Sequence, residues 1–248
     1  MLKIENFEVI GWEHAIRGMR NPMNSWDKSD SFTCYETVGH TKESIEATCG
    51  VCPKTDNCDI LDYKPHHIVG NADHTLMMNL AKGGPVHAKY RRMIAVYLDV
   101  TAPLYWWKEF DTYKVGTVRN SCSTMHKIHS KKFAFEDFST EHLSYRSINI
   151  LGDTIDILND YRAGFIEYED GCTYIEHDGR IMSKKDLWWQ MIQLLPSSYN
   201  QRATIMLNYE VLVGIYRDRK NHKLDEWKVF CDWISELPYS ELIIGERD

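Results

Sequence analysis

The spacing of apolar and polar residues predicts a mixed chain whose helices gather towards the end. Lys3 to Trp12 alternates closely enough for a strand, and Trp12 to Met19 has the spacing of a short helix that stops before Asn21-Pro22. Asp73 can cap a helix through Leu76, Met77 and Leu80 that ends at Gly83-Gly84. Tyr90 to Val100, rich in β-branched and aromatic residues, reads as a second strand. Pro103 then opens a helix carrying Trp106, Trp107 and Phe110. Glu141 to Tyr161 is the clearest amphipathic helix, with Ile148, Leu151, Ile155 and Leu158 in one apolar stripe. Glu169-Asp-Gly171 and Asp178-Gly179 mark a hairpin region within Gly164 to Ile181. Lys184 to Leu195 and Asp225 to Leu237 read as helices, the second with Trp227, Phe230, Trp233 and Ile234 on one side.

The segment after Leu195-Pro196 is the most informative. It reads as a loop entering a long helix from Asn200 to about Asn221. Asn208 and Arg219 lie eleven residues apart, which at ~100° per residue brings them within roughly 20° of one another on a helical face. An amide and a guanidinium in line on a buried face call for a ligand or a partner.

Composition narrows the class. The 248 residues are 43% hydrophobic and 26% charged, which is enough apolar material for a packed α+β core. A net charge of −7 without a Lys/Arg run argues against an extended nucleic-acid footprint, while leaving room for a pocket that takes one nucleotide. No apolar run is long enough for a signal peptide or a membrane span, so a cytoplasmic location is expected. Seven cysteines in such a chain suggest reduced thiols. Four of them, Cys34, Cys49, Cys52 and Cys58, lie in a polar stretch at about 25–70 that is broken by Gly50, Pro53 and Pro65 and reads as an irregular insertion into one domain spanning 1–248. Cys49-Gly-Val-Cys52 has the spacing that points two thiolates at one centre, so these four are candidate ligands for a structural zinc, with free thiols in an irregular loop as the alternative.

Walker, dinucleotide-binding, zinc-protease and nucleophile-elbow motifs are absent. A polar constellation from Lys108 to His129 remains, in which Ser and Thr hydroxyls stand among Lys114, Arg119 and Lys127. Hydroxyls and amides beside cations suit a phosphate or nucleotide, although a solvated loop has the same composition.

Tyr113-Lys-Val-Gly-Thr-Val-Arg-Asn-Ser-Cys-Ser-Thr-Met-His126 resembles a degenerate form of the flavin-dependent thymidylate synthase signature, R-H-R-x-x-S-x-N-E-x-S-x-R-Y. The resemblance sets R-H-R on Thr112, Tyr113 and Lys114, and the first serine on Thr117. With one extra residue at Arg119, the asparagine falls on Asn120, the glutamate on Ser121, the second serine on Ser123, the arginine on Met125 and the tyrosine on His126. Without it, the second serine's place falls on Cys122. Counted from Leu195-Pro196, the family's flavin-contacting asparagine falls on Asn208 and its substrate-activating arginine on Arg219. The match covers roughly 85 to 130 and 195 to 237, and the chain is also similar to phage and prophage members of that family.

The resemblance implies a small, mostly antiparallel sheet packed with long helices. It implies methylation of dUMP at C5 with methylenetetrahydrofolate, FAD and NADPH, in a homotetramer in a bacterial or phage-infected cytoplasm. Arg219 and Ser123 would be catalytic. Thr112, Tyr113, Lys114, Thr117, Asn120 and Asn208 would hold FAD, and Ser123, Arg202 and Arg219 would hold the pyrimidine nucleotide. Two of the three R-H-R cations are missing, Met125 replaces an arginine, and Ile192 stands where the family has a second phosphate-binding arginine, so Arg119, Lys127 and Arg202 are the candidates to compensate. The same scaffold could serve another pyrimidine-nucleotide modification, or a non-catalytic homologue that binds a nucleotide or a host protein.

Overall fold

A computed structural model describes residues 2–34, 66–169, 175–177 and 179–245. Cys49, Cys52, Cys58 and the side chain of Cys34 lie outside the described residues, as do most of the 25–70 insertion and Asp170-Gly171 of the expected turn. The chain divides into two compact units. The first comprises Met1–Glu8, Val96–Leu207 and Gly214–Leu237, and the second Val9–Ala95, Asn208–Val213 and Pro238–Asp248.

The first unit carries a four-stranded sheet of β1 (Lys3–Ile10), β4 (Ala95–Pro103), β8 (Asn200–Asn208) and β5 (Val118–Ser121), in the order β1-β4-β8-β5. β5 runs antiparallel to β8, with Val118 opposite Met206 and Ser121 opposite Ala203. Period-two burial gives the sheet an apolar face: Val96, Leu98, Val100 and Ala102 on β4, with Ala203, Ile205 and Leu207 on β8. An aromatic cluster completes this core. Trp106, Trp107 and Phe110 come from α3 (Leu104–Phe110), and Trp227 and Phe230 from α8 (Asp225–Glu236); all five are buried. Ring centroids are 4.8 Å apart for Trp106 and Trp227 and 5.1 Å for Trp106 and Phe110. Extended Pro103 launches α3, and its first free N–H groups find the Leu-Pro loop, Leu104 donating to the Tyr199 carbonyl and Tyr105 to that of Ser197.

A second core lies between α5 (Tyr145–Glu169) and α6 (Lys184–Leu194), with Leu151, Ile155 and Leu158 buried beside Leu187 and Met191. The predicted stripe is therefore a core face. β6 (Ile175–His177) and β7 (Arg180–Met182) form the hairpin just before α6.

The Asn200–Asn221 segment departs from expectation. It is not one helix but strand β8 followed by α7 (Tyr209–Arg219). Gln201, Ala203, Ile205 and Leu207 are buried while Arg202 and Thr204 are exposed, and β5 supplies the ladder, so alternation overrides the helical spacing read from the sequence. Asn208 is thus not on a helical face with Arg219. It ends the strand and caps the helix, its Oδ1 accepting from the Val211 N–H at 3.1 Å.

In the second unit, α1 (Trp12–Arg20) and α2 (Asn71–Lys82) accompany a two-stranded pair, β2 (Phe32–Cys34) and β3 (His66–Ile68). A short α4 (Thr124–Lys127) belongs to the first unit and α9 (Glu241–Ile244) to the second. Asp73 is not the α2 cap. Asp30 takes that part, accepting from the Ala72 and Asp73 N–H groups at 2.8 and 3.1 Å. Asp73 is fully buried instead, receiving Arg20 Nε at 2.6 Å and the hydroxyls of Ser29 and Ser31 at 2.7 and 2.6 Å. Gly70 permits the close approach, because a Cβ there would lie 2.2 Å from Asp30 Cγ.

Candidate functional site

Of the predicted residues of the first unit, Thr112, Tyr113 and Arg219 meet at the turn that follows α3. Asp111, Thr112 and Tyr113 donate backbone bonds back to Trp107, Glu109 and Phe110, and the Thr112 hydroxyl adds a second bond to the Glu109 carbonyl at 2.7 Å. The turn presents Tyr113 to the end of α7. There Arg219 donates from Nε to the Tyr113 hydroxyl at 2.9 Å and from Nη1 to Glu109 Oε2 at 2.7 Å. Its guanidinium carbon is 4.7 Å from the ring centroid of buried Trp227.

Glu109 is the hub of this cluster. Its Oε2 also accepts from Trp227 Nε1 at 2.9 Å, and His222 Nε2 lies 3.4 Å away. His222 Nδ1 accepts the Leu224 N–H at 3.2 Å, which assigns the ring proton to Nε2. Arg219 was singled out from the sequence; Glu109 was not. The available signal was a lone acid at the end of an aromatic helix, four residues before Tyr113.

The other predicted residues have varied surroundings. Ser123 caps α4, its Oγ accepting from the His126 N–H at 3.1 Å, and it is exposed. Lys114 and Asn120 are exposed, and the Thr117 hydroxyl is buried without a hydrogen-bond partner among the described residues. Asn208 belongs to the second unit, where it caps α7.

Two of the three compensating cations are already engaged. Arg119 places Nη1 2.7 Å from both Asp111 carboxylate oxygens, donates from Nη2 to Gln201 at 2.6 Å and lies 4.1 Å over the Trp107 ring. Arg202, on the exposed face of β8, donates to Asp99 at 2.8 Å. Hydrogen bonds from Thr204, Asn6 and Arg202 hold the Asp99 carboxyl far below the usual carboxylate range. Among the described residues no cluster of His, Cys, Asp and Glu has the arrangement of a metal site. Two surface cavities, of about 410 Å³ beside Phe133 and Asn159 and about 200 Å³ beside Ile16 and His67, contain none of the predicted residues.

No protein-family model matches the chain, and no curated protein matches it by sequence. Solved structures do. A thymidylate synthase X from Helicobacter pylori, crystallised with FAD and dUMP, is 12% identical with a TM-score of 0.58, over 99% of this chain and 98% of that one. A second structure, described as the flavin-dependent thymidylate synthase of the same organism with FAD and dUMP, gives 12% identity and a TM-score of 0.56 over 99% and 97%. The chain has the fold of the flavin-dependent thymidylate synthases. On that fold, the sheet, the α3 turn and the helix that ends in Arg219 set the surroundings of the candidate residues. No helix among the described residues is long and apolar enough to cross a membrane.

Proposed function

We propose that this protein is a divergent flavin-dependent thymidylate synthase that methylates dUMP at C5, with methylenetetrahydrofolate as carbon donor and NADPH as the source of electrons. The observation that carries the reading is Arg219. The residue that the resemblance marks as substrate-activating is held by a carboxylate, a phenol and an indole face on the matching fold. Such a guanidinium is oriented before substrate arrives. Donated to a base carbonyl, it would stabilise the negative charge that builds as C5 becomes nucleophilic, with no reorganisation during reaction. Ser123 spends its oxygen on the α4 cap and keeps its proton to donate to the nucleotide.

Residues present here fit FAD in donor type. Lys114 forms no ion pair among the described residues, the Thr117 hydroxyl is an orphaned buried group, and Asn120 offers an exposed amide. These three would hold the pyrophosphate, and Asn208 is a flavin contact by the resemblance alone. Bound reduced flavin would supply the hydride. A homotetramer is proposed with the reading, and light scattering in solution tests it.

The capture of Arg119 by Asp111 and of Arg202 by Asp99 favours a second reading, another modification of a pyrimidine nucleotide on the same scaffold. The decisive experiment pairs flavin uptake with rescue of a thymidine auxotroph. Uptake with rescue supports the synthase. Uptake without rescue moves the weight to the second reading, and no uptake of FAD removes both.

A further inference from the structure

Glu109 and Arg219 form an ion pair whose charges cancel, yet each keeps one unspent atom. Glu109 Oε2 takes the bonds from Arg219 and Trp227, with His222 Nε2 3.4 Å away, while Oε1 has no partner among the described residues. Arg219 spends Nη1 and Nε and keeps Nη2. Neither side chain is sealed from solvent, with 34% of Glu109 and 17% of Arg219 exposed. The pair therefore offers one strong acceptor and one strong donor with no net charge. A phosphate is a poor occupant, because any oxyanion drawn to Nη2 meets the carboxylate beside it. A neutral group that carries a carbonyl next to an N–H has the acceptor and the donor that these two atoms call for.

We propose that Glu109 is a specificity-determining residue that reads the N3–H of a uracil base while Arg219 donates to the adjacent carbonyl. The proposal rests on the synthase reading, since the developing charge there needs a carbonyl to carry it. Arg219 and Trp227 hold the carboxylate from the side of Oε2 and leave Oε1 as the oxygen open to a ligand. A Gln at 109 makes the role testable. Its amide oxygen stays with the donors of Arg219 and Trp227, so its NH₂ replaces Oε1 and turns the acceptor into a donor.

The test measures calorimetric affinities of dUMP, dCMP and 3-methyl-dUMP for the flavin-reconstituted protein and for Glu109→Gln. Wild type is expected to favour dUMP over both others by about tenfold or more, because the missing N–H leaves a desolvated carboxylate oxygen unpaired. Glu109→Gln is expected to lose that preference, with its thermal midpoint close to wild type. Equal wild-type affinities for dUMP and 3-methyl-dUMP would overturn the inference without any variant, as would a Glu109→Gln protein with an unchanged preference. Failure to bind any of the three overturns the synthase reading as well. Binding with the expected preference but no thymidylate formed overturns the reaction and leaves the base reading standing.

Discussion

At the scale of single residues, the arrangement around Arg219 rewards a guanidinium and not merely a positive charge. Two nitrogens donate in different directions, to Glu109 and Tyr113, while the planar group lies over Trp227. A lysine has one ammonium and no planar face to offer. Arg219→Lys and Arg219→Ala are both expected to lower kcat by roughly 10²–10³ with little change in thermal midpoint, as for loss of one preorganised donor. Steady-state thymidylate formation measures it, and a lysine variant with near wild-type kcat would show that charge alone suffices. The buried pair in the second unit makes a contrasting prediction. Burial would raise the Asp73 carboxyl, but hydrogen bonds from Ser31, Ser29 and Arg20 outweigh it and hold it below the ordinary value. A depressed folded-state value means the stabilisation is present above about pH 4, the unfolded carboxylate value, and is lost as pH falls through the folded one. Urea midpoints from about pH 5 down to pH 2 should fall steeply for wild type and less for Asp73→Asn. Removing Asp73 at neutral pH leaves Arg20 buried and unpaired, so Asp73→Ala is expected to lose about 3–5 kcal/mol. Arg219 was singled out through the resemblance, which counts it from Leu195-Pro196. The roles of Glu109 and Asp73 could not be read from the sequence, because a lone carboxylate becomes special only when distant donors arrive, from residues 219 to 227 for one and from 20 to 31 for the other.

At the scale of elements, legibility followed the strength of the local period. Helix α6 and the aromatic pair α3 and α8 carry apolar residues that pack nowhere else, so the sequence places them within a residue or two, whereas α5 runs on to Glu169, eight residues past Tyr161 and into the expected hairpin region. The Asn200–Asn208 segment carries Ala, Met and Leu, which favour helix, together with an alternation that is satisfied only when β5 lies alongside. No window of that segment contains the partner strand. The same geometry gives Asn208 two separable parts, one as helix cap and one as a proposed flavin contact. Asn208→Ser keeps the cap oxygen and loses the amide, while Asn208→Ala loses both. The alanine variant is expected to be about 0.5–2 kcal/mol less stable and the serine variant near wild type. Flavin affinity should fall in both. Chemical denaturation and flavin titration of the two proteins separate the roles, and a serine variant that binds FAD normally would leave Asn208 with the cap alone.

Across the whole molecule, the charge distribution bears most directly on how the proposed nucleotide site would treat a phosphate. The net charge is −7, and both guanidinium groups beside the degenerate signature are committed, Arg119 to Asp111 and Arg202 to Asp99, which leaves the ammonium groups of Lys114 and Lys127 without an ion pair among the described residues. The fold survives at 12% identity to its structural neighbours because sheet alternation and helix stripes constrain hydrophobicity and not residue identity. A phosphate pocket has no such latitude, since it needs guanidinium or ammonium groups free to point at one place. The nucleotide's phosphate should therefore add little to binding. The affinity ratio of dUMP to deoxyuridine is expected to stay below about tenfold, where each charged hydrogen bond recovered would add about 1.5–3 kcal/mol. Raising the salt concentration should change that ratio only slightly, because Arg119 and Arg202 are already paired and Lys114 is assigned to the flavin. Calorimetry with both ligands at two ionic strengths supplies the measurement. A ratio nearer a thousand, falling steeply with salt, would mean that a cationic pocket is completed by groups outside Asp111–Arg119 and Asp99–Arg202, and a second copy of the chain would then be the first place to look for them.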